Sequence, residues 1–91
     1  MDHKVVEIDG IGIVLLDRLI LDEADTKHLW QVIVSTFCDT LHRYDEWIGC
    51  ENAQQARSFI QDYTVGSASE FLVRANEWYH QKLAEPANIV T

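Results

Sequence analysis

The sequence predicts a mainly α protein: a compact bundle of three or four helices, with or without a short β-hairpin at its N-terminus. Three observations lead there. Apolar side chains recur at helical spacing between residues 26 and 48, two later segments carry helix-start signals, and a single proline stands where the last helical pattern stops. Apolar residues make up 47% of the chain and charged residues 24%, ordinary globular usage that argues against disorder. Ninety-one residues suit one domain, with about 60–65% of the unfolded surface hidden on folding.

The first element is a hairpin or extended arm over residues 1–16. Val5, Val6 and Ile8 precede Asp9-Gly10, and Ile11, Ile13, Val14, Leu15 and Leu16 follow. Asp-Gly between two β-branched runs tolerates the positive φ of a tight turn. A turn or two of helix is expected from there to Leu21.

The second element is a long helix from Thr26 to Ile48, capped by Asp25 or Thr26, with Asp22, Glu23 and Asp25 at its positive end. At 100° per residue, Leu29, Ile33, Phe37, Thr40, Tyr44 and Trp47 share a stripe, so Phe37 and Tyr44 read as packed core. Trp30, Val34, Leu41 and Ile48 widen that stripe beyond what one neighbouring helix covers. Gly49 ends it.

A third helix follows. Asn52 and Gln55 have capping-box spacing, and Ala53, Ala56, Phe59, Ile60 and Tyr63 repeat on one side. Residues 64–66 read as a connection. Ser67 and Glu70 then open a final helix to about Ala84, packed through Phe71, Leu72, Ala75, Trp78, Tyr79 and Leu83 and stopped by Pro86. Residues 87–91 are expected to form a flexible tail.

Charge narrows the function classes. Fifteen acids against seven bases give a net charge of -8, and no Lys or Arg adjoins another. Binding to a nucleic-acid backbone or an anionic membrane needs clustered cations, so neither is expected. The N-terminal MDHKVVEIDG lacks the pattern of a secretory signal, and the longest apolar stretch is far too short to span a bilayer. The expected compartment is the cytoplasm, with Cys38 and Cys50 as reduced thiols.

Catalytic signatures are sparse. Cys38, His42, Glu46 and Cys50 fall in one row at helical spacing, and all four types ligate zinc, but the spacing matches no closed metal site. Cys38 and His42 alone lack the oxyanion donors and pocket of a cysteine enzyme. No catalytic residue, metal or cofactor is therefore assigned.

The leading functional expectation is a non-enzymatic protein-interaction domain: an adaptor, inhibitor or regulatory subunit. Its apolar, aromatic centre is read as Trp30, Val34, Leu41 and Ile48, and its charged rim as Asp39, Asp45, Glu46 and Glu51. The expected partner carries a basic surface, is another copy of the chain, or both. Three other readings compete: a structural homo-oligomer, a nucleic-acid mimic that inhibits a basic protein, and a small-molecule enzyme of unassigned reaction.

Overall fold

A computed structural model of the chain describes residues 3–20 and 30–85, the side chains of residues 18–20 excepted. Four strands come first: β1 (His3–Ile8), β2 (Gly12–Ile20), β3 (Trp30–Phe37) and β4 (Arg43–Cys50). Two helices follow, α1 (Ala53–Asp62) and α2 (Val65–Ala84). The strands form one antiparallel sheet in the order β1-β2-β3-β4. The fold is mixed α/β, and the expected bundle of three or four helices is incorrect.

The error has one source. The expected helix from Thr26 to Ile48 is two strands and a turn over its described part, and its capping acids Asp22, Glu23 and Asp25, with Leu29, lie outside the described residues. Val32, Ile33, Val34 and Thr36 are β-branched, which restricts χ1 in a helix and suits a pleated surface. An almost unbroken apolar run satisfies a period of 3.6 and a period of 2 together, so spacing alone did not discriminate. Asp39 decides the matter locally. Its Oδ1 accepts from the backbone N–H of Leu41 at 2.7 Å and of His42 at 2.8 Å, a side-chain turn that competes with helix continuation. Cys38 N–H then donates to His42 O at 2.8 Å and closes the β3–β4 hairpin. Gly49, expected to end a helix, lies inside β4.

At the N-terminus, β1 and β2 pair from His3↔Asp17 to Ile8↔Gly12 around Asp9-Gly10, with Gly10 at φ 74°. The described part of residues 17–20 continues β2 as strand, not as helix.

Both helices begin on side-chain caps. Asn52 Oδ1 accepts from Gln55 N–H at 2.9 Å, while Gln55 Oε1 reaches back to Glu51 N–H at 2.9 Å. Thr64, not Ser67, caps α2: its Oγ1 accepts from Ser67 N–H at 3.0 Å. That places residues 65 and 66 in the helix instead of in a connection.

The core lies between the helices and one face of the sheet. Val6, Val14, Leu16, Val32 and Val34 from the strands meet Ala56, Ile60, Ala68 and Phe71 from the helices, all buried. Full burial of each large apolar side chain contributes about 1.5–3 kcal/mol. Tyr44 completes the layer, with its ring 5.4 Å from Phe71 and 5.5 Å from Trp78.

Candidate interaction surface

Strand side chains alternate between faces, so turning Val6, Val14, Val32 and Val34 towards the helices turns their neighbours the other way. No helix covers that second face among the described residues. It presents Val5, Ile13, Phe37 and Trp47, which are 58%, 48%, 58% and 53% exposed. Four strands thus contribute one large, exposed apolar side chain each. The registers set less exposed neighbours beside them: Val5 lies opposite half-buried Leu15, which lies opposite buried Ser35, and half-buried Ile33 lies opposite Trp47. Acids share the face. Glu7 pairs across to Ile13, Asp17 to His3 and Ile33, and Asp45 to Ser35. Arg43 donates from Nε to Asp45 Oδ1 at 2.7 Å, and its guanidinium lies 5.8 Å from the Phe37 ring centre.

At the turn end, this face runs into a groove. Ile11, Phe37, Cys38, Leu72, Val73 and Tyr79 line a cavity of about 560 Å³ between the β1–β2 turn, the end of β3 and α2. Ile11 and Leu41, at the tips of the two hairpins, are 69% and 86% exposed. The apolar surface therefore continues from the sheet around its turn end to α2.

A polar cluster beside the groove ties α2 to the β3–β4 turn. The Tyr79 hydroxyl donates to Asp39 Oδ2 at 2.6 Å, and His42 Nδ1 lies 2.9 Å from Asp39 Oδ1. Together with the two backbone amides, these contacts hold the Asp39 carboxyl well below the usual carboxylate range; the Tyr79 hydrogen bond is the largest cause. The same bond pushes the Tyr79 phenol up. The Cys38 thiol points at Ala75 O, 3.8 Å away, and burial, followed by the Asp39 charge, pushes its pKa up. A raised pKa depletes the thiolate that nucleophilic chemistry uses. Asp39 is thus engaged from four sides as a clasp between turn and helix.

Glu46 has a similar structural role on the covered face. Arg74 donates to it from Nε at 2.7 Å and from Nη2 at 2.8 Å, and the Tyr44 hydroxyl adds a third bond at 2.7 Å. The Arg74 hydrogen bonds are the main reason that the Glu46 carboxyl is lowered.

The eight residues expected to form an interface are therefore distributed. Trp30 and Ile48 are half-buried against the core, and Val34 is 2% exposed within it. Leu41 stands at a hairpin tip and Glu51 beyond the far end of β4. Asp39 clasps the turn, Glu46 binds Arg74, and only Asp45 lies on the uncovered face. The apolar side chains of that face were missed as a group, and Phe37, read as core, belongs to it. The available signal was the alternation Val5-Glu7 and Ile13-Leu15-Asp17 against Val6, Val14 and Leu16.

The row of Cys38, His42, Glu46 and Cys50 depended on helical spacing. In strands, Cys38 and His42 meet at the hairpin closure while Cys50 pairs with Trp30 at the opposite end. Among the described residues, no three His, Cys, Asp or Glu side chains gather as a metal-ligand set. Nor is any described helix long and apolar enough to cross a membrane. Family models, curated proteins and solved structures provide no match to this chain.

Proposed function

We propose that this chain is a non-enzymatic protein-interaction domain, acting as an adaptor, inhibitor or regulatory subunit, whose uncovered sheet face docks a partner with an apolar centre and a basic rim. One observation carries the reading: Val5, Ile13, Phe37 and Trp47 remain about half exposed on one face of a sheet whose other face is packed by helices. Contiguous exposed apolar surface with polar flanks is characteristic of interaction sites. Glu7, Asp17 and Asp45 lie among these residues, on a chain of net charge -8. Such a field steers a basic partner and raises its encounter rate, while the aromatic and aliphatic centre supplies retained affinity.

The test uses a photo-crosslinking amino acid at Ile13 or Trp47, with the exposed Gln61 on α1 as the control, followed by binding to the purified partner. Cross-linking is expected at the sheet positions. Ile13→Asp and Trp47→Ala should each weaken binding at least about tenfold, or 1.4 kcal/mol, and added salt should weaken it further. Equal capture at Gln61, or affinity unchanged by both substitutions, sinks the reading.

A further inference from the structure

The outer edge of β4 carries a second surface, whose argument does not depend on the partner proposed above. In an antiparallel ladder, the backbone groups of successive residues point alternately to one side of the strand and the other. The Cys38 N–H to His42 O bond and the continuous pairing from Phe37↔Arg43 to Trp30↔Cys50 set the phase. Tyr44, Glu46, Ile48 and Cys50 direct both backbone groups at β3. Arg43, Asp45, Trp47 and Gly49 direct theirs outward. Among the described residues, no strand lies beyond β4. Its eight residues contain no proline, and the uninterrupted pairing leaves no bulge. Those are devices by which proteins protect a sheet edge from pairing.

We infer that β4 pairs antiparallel with β4 of a second copy, joining two four-stranded sheets into one of eight strands. Charge selects the register. Centring the two-fold axis on Trp47 sets Trp47 opposite itself, Asp45 opposite Gly49 of the second copy, and Arg43 opposite Glu51. On the helix side, Glu46 meets Ile48 and Tyr44 meets Cys50. No like charges oppose each other, and symmetry forms the Arg43–Glu51 contact twice. The outward-directed Asp45, Trp47 and Gly49 oppose one another, so their amides and carbonyls meet, while Arg43 and Glu51 meet through their side chains because Gln55 Oε1 holds the Glu51 N–H.

Neighbouring registers fail on charge or on paired length. An axis at Glu46 or Asp45 brings that carboxylate against its own copy, and an axis at Ile48 opposes Asp45 to Glu51. An axis at Tyr44 leaves only residues 43–45 paired within the strand, and one at Gly49 only residues 48–50. Directly opposed like charges destabilise a sheet, whereas opposite charges stabilise it. The interface is isologous, so it closes at two copies instead of growing. It also joins the two uncovered faces along a seam marked by both Trp47 side chains.

Three measurements on the full chain test this pairing. Sedimentation equilibrium should find a dimer that tightens as salt rises, because screening reduces repulsion between two chains of net charge -8. That salt response is opposite to the one expected for a basic partner. Arg43→Glu and Glu51→Arg should each weaken dimerisation at least tenfold, and the double exchange should restore it. Residues 43 and 51 lie about 27 Å apart along one extended strand, so restoration requires a second copy. In a chain carrying Cys38→Ser and Cys50→Ala, oxidised Trp47→Cys should cross-link to itself while Asp45→Cys does not. A monomer at every concentration and salt overturns the inference. So does a dimer that the double exchange fails to restore, or one in which Trp47→Cys does not cross-link.

Discussion

The two faces of the sheet are built from the same kinds of side chain and have opposite fates. On one, Val14, Val32 and Val34 are closed off by α1 and α2; on the other, Val5, Ile13, Phe37 and Trp47 stay about half exposed. Composition does not separate them. A covering layer does, and α1 and α2 supply it on one side only because Ala56, Ile60, Ala68 and Phe71 form a single packing layer. Burial turns the first set into stability, while exposure leaves the second available for contact.

The largest expected contrast comes from truncating one aromatic residue on each side. Phe71→Ala, at a fully buried position, should cost about 3–5 kcal/mol in urea unfolding. Phe37→Ser on the uncovered face should change stability by no more than about 0.5 kcal/mol. Comparable losses from both would mean that something also covers the second face.

Acid should strike the covered side through its clasps. Asp39 has a lowered folded-state pKa, so its stabilisation is present above the unfolded carboxyl value of about 3.9 and is lost as pH falls below it. The urea midpoint should therefore drop more between pH 5 and pH 2.5 in the native chain than in Asp39→Asn. Parallel curves would dismiss the clasp.

Smaller effects follow from the turn and the surface pair. Gly10→Ala should cost about 1–2 kcal/mol, since φ of 74° is strained for a side-chain-bearing residue even though nothing lies near the added methyl. Glu46→Gln should cost about 1 kcal/mol or less, because Arg74 is half exposed and water screens the pair. A much larger loss would identify Glu46 as part of the core rather than of its margin.

Much of the second half of the chain was legible from local chemistry. Asn52 with Gln55 marks α1, and the apolar spacing through Phe71 and Ala75 marks α2, although the cap of α2 proved to be Thr64. Asp9-Gly10 likewise sits in the turn between β1 and β2. Residues 30–50 were not legible by period, because their apolar run fits both geometries. The β-branched cluster and the turn-forming Asp39 were the better guides. Asp45 alone of the expected interface residues lies on the uncovered face, because all of them but Glu51 were grouped by helical spacing and strand alternation separates that group.

By itself the sequence determined the acidic field, the tight glycine turn and the two capped C-terminal helices, because each depends on residues close together in the chain. Tertiary structure decided the rest. Cross-strand register sorted one continuous apolar run into inward and outward sets, and the helices could cover only one of them. Which apolar side chains became core and which remained surface therefore depended on contacts between residues far apart, a choice that local spacing does not contain.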